Sequence, residues 1–123
     1  MFDYLQLISA ILLITIDSIY LKIITPFFSA QIRKVQQTPI KINYVGAVLS
    51  YLFLVTGLNY FIIKPNKPVS DAFLLGIVIY GVYEATNYAL LSKWNISTVI
   101  IDTLWGGILF AITTYILKLL RKL

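Results

Sequence analysis

The sequence predicts an all-α fold, a four-helix transmembrane bundle with both termini on the same side, and three observations lead there. Of the 123 residues, 59% are apolar and only 12% are charged, which leaves too little polar side chain to cover a compact core from water. The apolar residues gather into four runs, each close to the roughly 20 residues that cross a hydrocarbon layer. Short breaks carrying proline, lysine, asparagine and glutamine separate the runs.

The first run is Tyr4 to Thr25, the second Tyr44 to Ile63, the third Ala72 to Leu91 and the fourth Ile96 to Leu117. Helices are expected for all of them, because an isolated strand cannot satisfy its backbone in lipid. Pro26 is expected to end the first span. The stretch Phe27 to Gln37 reads either as an amphipathic segment lying in the interface or as a plain loop. The second break, Lys64-Pro65-Asn66-Lys67-Pro68, holds two prolines that cannot continue a helix. The third, Ser92-Lys93-Trp94-Asn95, is shorter still. Connections this short make antiparallel hairpins of helices two and three and of helices three and four. The chain reads as a single integral membrane domain, 1–123, with no internal repeat.

The N-terminal Met1, Phe2, Asp3, Tyr4 lacks the positive region of a secretory signal, and Phe28, Ser29, Ala30 places a bulky residue where a cleavage site takes a small one. The first run is therefore expected to be a retained span. The net charge is +5, with the bases between and after the apolar runs. That placement suits anionic lipid headgroups rather than nucleic acid. Lys64, Lys67, Lys118, Arg121 and Lys122 fall on one expected side and Lys22, Arg33, Lys34, Lys41 and Lys93 on the other, so the positive-inside rule favours neither orientation. Membrane lipids are the expected partners, and a homo-oligomer is compatible with the sequence.

Cysteine and histidine are both absent. Disulfides, thiol nucleophiles and the usual zinc sites are thereby excluded, and any metal would need oxygen ligands alone. No phosphate loop, nucleophile elbow or zinc motif occurs, so nucleotide-driven pumping and hydrolase chemistry are disfavoured and no cofactor is expected.

Three acids lie within the spans, and they are the candidate ion or proton site. Ionised, each costs about 2.5–3.5 kcal/mol to insert. Glu84 and Asp102 stand nine residues either side of Lys93, and Asp17 nine before Pro26, which places all three at roughly 13 Å from one boundary at the helical rise. Tyr80, Glu84 and Asn87 share one face of the third helix, and Asp102, Trp105 and Gly106 one face of the fourth. Thr98 precedes Asp102 by a turn, and Ser18 adjoins Asp17. Asn87 joins the acids as a site candidate, with Tyr80, Thr98 and Trp105 in support. Neighbouring carboxylates cannot both ionise cheaply in a low dielectric, so a shared proton or cation is expected, with Lys22 as a further pairing candidate. Gly106 and Gly107 permit close helix approach. Trp94, Tyr4, Tyr44 and Tyr60 sit near span ends and read as an aromatic belt.

From Tyr80-Gly81-Val82-Tyr83-Glu84-Ala85-Thr86-Asn87 through Trp94 to Asp102-Thr103-Leu104-Trp105-Gly106, the chain resembles the small membrane proteins of domain of unknown function 2177. A weaker element, Ile16-Asp17-Ser18-Ile19-Tyr20-Leu21, extends the likeness over most of the chain. The sequence departs from that pattern at Glu84, where the family usually has Asp, and at Tyr20, where it usually has Trp. It departs again at Lys93 and Asn95, in a turn usually built with Gly and Pro. The resemblance implies four spans and directs attention to the three acids, without naming a reaction. Three functions fit these residues: a proton or cation transporter or channel, a lipid-directed enzyme using carboxyl acid and base, and a non-catalytic assembly subunit in which the acids clasp the helices.

Overall fold

The computed structural model describes residues 4–122, so Met1, Phe2 and Asp3, on which the expectation about a leader partly rests, lie outside the described residues. The architecture is all-helical, as expected: α1 (Tyr4–Gln36), α2 (Tyr44–Leu58), a π-helical turn continuing it (Asn59–Ile63), α3 (Val69–Leu90) and α4 (Ile96–Arg121). Four helices are long and apolar enough to cross a membrane.

The helices alternate in direction. Asp17 meets Trp105 and Tyr20 meets Asp102, so α1 and α4 run antiparallel. Tyr51 meets Asp17 and Asn59 meets Ser9, which makes α2 antiparallel to α1. Gly76 lies against Gly106 and Gly81 against Thr103, which sets α3 antiparallel to α4. The tightest pairing is α3 with α4, α1 packs on α4, and α2 is held chiefly by α1.

The first helix corrects the expected boundary. It does not stop at Pro26 but continues to Gln36, a length of 33 residues, or about 50 Å at the helical rise. Pro26 cannot donate to the Lys22 carbonyl, yet both residues sit on the exposed outer face, and the Thr25 hydroxyl back-bonds to the Leu21 carbonyl beside the gap. Membrane helices tolerate such a proline where local groups compensate. Phe27 to Gln36 is therefore neither a separate interfacial segment nor a loop. What holds the extension is Gln31, only 2% exposed. Its amide nitrogen donates to the Lys93 carbonyl at 2.7 Å, while its oxygen accepts from the Asn95 backbone at 2.8 Å and from Thr98 Oγ1 at 2.9 Å. Gln31 thus caps the start of α4 from another helix, satisfying donors that a helix N-terminus leaves free.

The remaining ends follow local chemistry. Gln37 takes a left-handed conformation, φ 62°, after the last turn of α1, and the Asn43 side chain accepts from Gly46 N at the start of α2. After the π-turn, Asn66 at φ 57° closes a Schellman motif, with Lys67 N donating to Ile62 and Asn66 N to Ile63. Pro68 then opens α3 at its N-cap, and Asp71 complements the helix dipole in the first turn.

The outer surface is apolar and much of the interior is polar. Ile11, Ile23, Leu74, Val82 and Leu104 face outward, whereas Ser9, Asp17, Glu84, Thr98, Asp102, Thr113 and Thr114 are buried. In water so large an exposed apolar face would drive aggregation; in lipid it is the face that the solvent requires. On α1, Ser9, Leu13 and Asp17 follow at successive turns, as do Tyr51, Val55 and Asn59 on α2 and Trp105, Leu109 and Thr113 on α4. Leu13, Val55, Leu109 and the neighbouring Phe110, all buried, therefore form an apolar plug between two polar levels.

Candidate functional site

The three acids arise on three helices, and aromatic donors aim at each. Asp17 accepts the Tyr51 hydroxyl on Oδ2 at 2.6 Å and the Trp105 indole N–H on Oδ1 at 2.9 Å. Asp102 accepts the Tyr20 hydroxyl on Oδ1 at 3.3 Å. Glu84, fully buried, accepts the Trp94 indole N–H on Oε1 at 2.8 Å, while its Oε2 is buried without a hydrogen-bond partner. Asp102 neighbours the Glu84 carboxyl and stands in electrostatic range of Asp17.

One stacked pair ties these groups together. The Tyr20 and Trp105 rings lie 4.3 Å apart and 5° from parallel, so the donor to Asp102 rests on the donor to Asp17. Helix register sets the depths: Asp17 is level with Trp105 and Asp102 with Tyr20. Asp17 therefore stands one turn farther from the α3–α4 connection than Asp102 does, about 5 Å. The acids form a stair rather than one flat layer, because Pro26, the reference point for the depth of Asp17, lies inside a helix.

Of the supporting residues, Trp105 joins the acids directly. Tyr80 packs its ring over Gly106 and lines two cavities above Asp102. Thr98 is buried but turns its hydroxyl to Gln31 rather than to an acid. Asn87 is half-buried; its backbone carbonyl accepts from Leu91, and its side-chain amide makes no hydrogen bond among the described residues. Ser18 is exposed and back-bonds to Ile14. Lys22 is exposed as well. Among the described residues no Lys or Arg forms an ion pair with any of the three acids, and no group of three or more acidic side chains is placed to hold a metal ion.

Sequence reasoning named one of the donors, Trp105, and missed the other three. Trp94, read as part of an aromatic belt, is 5% exposed and bonded to Glu84, whereas Tyr4, Tyr44 and Tyr60 do face outward. Tyr51 carried one available signal, a phenol in mid-span, where a belt residue has no reason to be. Tyr20, noted only as a departure from the family pattern, is the partner of Asp102.

Asp102 opens onto a groove. Ser50, Phe53 and Leu54 of α2 and Ile79, Tyr80 and Tyr83 of α3 wall a cavity of about 330 Å³ with Asp102 at its floor. A smaller cavity of about 220 Å³ continues past Tyr80, Tyr83 and Asp102 to Asp17, Tyr20 and Phe28 of α1. The arrangement sets buried carboxyls beside a cavity that opens sideways.

A family model described as predicted membrane protein (DUF2177) matches residues 3–118, nearly the whole chain. Comparison with curated proteins and with solved structures finds no match.

Proposed function

The chain belongs to the DUF2177 family of predicted membrane proteins, and on that footing we propose that this multi-pass protein moves protons, or a cation exchanged for them, through the carboxyl stair of Asp17, Glu84 and Asp102. The observation that carries this reading is the nearness of the Glu84 and Asp102 carboxyls, both buried, with no Lys or Arg paired to any of the three acids among the described residues. Two ionised carboxyls that close, in low dielectric, repel each other too strongly to persist. A proton held by this pair removes one charge. Asp17 differs in accepting two donors, the Tyr51 hydroxyl and the Trp105 indole. The stair thus sets a carboxyl held by two donors next to a close pair of carboxyls, a sequence of groups along which a proton can pass.

Proteoliposomes under an imposed pH gradient test this directly. Proton flux is expected from the native protein and is expected to fall to the lipid background in Asp17→Asn/Glu84→Gln/Asp102→Asn. Unchanged flux in that variant refutes the reading.

The sideways opening of the groove favours a second reading, acid and base catalysis on a lipid, with one carboxyl donating a proton and another accepting it. Lipid profiles of cells with and without the protein separate the two, because only the enzyme leaves a new lipid species.

A further inference from the structure

We propose that the groove between α2 and α3 binds a lipophilic monocation, of the protonated-amine or quaternary-ammonium class, which exchanges with a proton at Asp102. This rests on the reading that the carboxyls hold a proton, and it names what replaces that proton.

The walls select the ligand's body and the floor its charge. Phe53, Tyr80 and Tyr83 line the cavity, and aromatic rings attract cations that shed water easily. The floor is Asp102, only 7% exposed, with Glu84 behind it carrying an unpartnered oxygen. Titratable or polar groups around Asp102 come from every neighbouring helix: Glu84 and Tyr80 from α3, Asp17 and Tyr20 from α1, and Ser50 from α2, with Tyr51 reaching Asp17. None is basic. An anionic headgroup would meet only acids and hydroxyls there, and a small hard metal ion would lack its set of three acidic ligands. A cation with an organic surface fits both walls and floor.

Size and access agree with this. A cavity of about 330 Å³ is at the lower end for a small-molecule site, enough for a substituted ammonium headgroup but not for a whole lipid. Phe53 is 74% exposed and Tyr83 58%, so the mouth opens toward the acyl chains, where lipophilic cations accumulate. The exchange balances in charge: one monocation enters, one proton leaves, and the net charge of the stair is unchanged.

The test uses the full chain in nanodiscs of zwitterionic lipid under weak buffering, with benzyltrimethylammonium as the probe and benzyl alcohol as its neutral counterpart. Proton release on adding the cation is expected, with an apparent affinity that weakens as pH falls; benzyl alcohol is expected to release none. Asp102→Asn is expected to abolish the release. Phe53→Leu, at an exposed position, is expected to weaken binding roughly three- to tenfold. Equal binding of the cation by native protein and Asp102→Asn, or equal binding of cation and alcohol, overturns the proposal. Carboxamide-sensitive proton flux without cation binding overturns it while leaving the relay standing. Cation-driven proton release without flux supports the site and removes the transport reading instead.

Discussion

The α3–α4 hairpin and the α1–α2 pair are made of similar apolar helices, yet they are joined by opposite means. Between α3 and α4 the backbones touch. A Cβ on Gly76 would run into the Gly106 carbonyl, one on Gly106 into the Tyr80 ring, and one on Gly107 would come within 2.8 Å of Ile77 and Phe73. Between α1 and α2 two polar ties cross a joint that is otherwise apolar: Tyr51 to Asp17 at 2.6 Å and Asn59 to Ser9 at 2.8 Å. The first joint depends on shape and the second on chemistry. Glu84 and Asp102 thus ride on a rigid hairpin, while the outer wall of the groove is a helix held at a few points.

Four substitutions break or sharpen this contrast. The largest effect is expected from Gly76→Leu, which forces α3 from α4 and costs about 3 kcal/mol or more as overpacking against backbone. At Gly57 on α2 a Cβ would stand 3.9 Å from Ile79, in ordinary contact, so Gly57→Ala is expected to leave stability unchanged or raise it by less than about 1 kcal/mol through helix propensity. Thermal unfolding of both variants in detergent checks the pair; equal losses would show that close packing is not confined to one joint. Next comes Trp94→Phe, which removes the indole donor to Glu84 Oε1 and is expected to cost about 1–3 kcal/mol, read in the same unfolding experiment. The smallest is Tyr51→Phe, worth about 0.6 kcal/mol as an interhelical hydrogen bond in a membrane. Spin labels on α1 and α2 are expected to show a broader distance distribution in this variant, while the α3–α4 distances hold. A change of equal size in both pairs would erase the distinction.

The acids were legible in the sequence because a charge inside an apolar run has no ordinary explanation, and each proved to be buried. Their partners were not, and the reason is physical. Tyr and Trp serve both the interface and the interior with the same side chain, and only the rotation of a helix decides which. Trp94 sits at a turn, as a belt residue would, yet folds its indole back toward Glu84. Gln31 gave no signal either, since an amide beyond a proline reads as loop until a distant helix start supplies three partners. The four spans survived in number and order because hydrophobic length is a property of each segment alone. The end of the first did not, because Pro26 and Gln31 set a local rule against a tertiary contact and the contact won. The π-turn at Asn59–Ile63 leaves no mark on periodicity in so short a stretch.

The apolar plug of Leu13, Val55, Leu109 and Phe110 has an electrical consequence. In an energised membrane the voltage falls most steeply where the path is driest, and a displaced charge works against about 2.3 kcal/mol for each 100 mV it crosses. Leu13 and its neighbours span about two helical turns between the two polar levels, some 11 Å, and on the proposed transport reading a charge crossing them would meet the steepest part of that drop. On that reading voltage acts on the plug and chemistry acts on the stair.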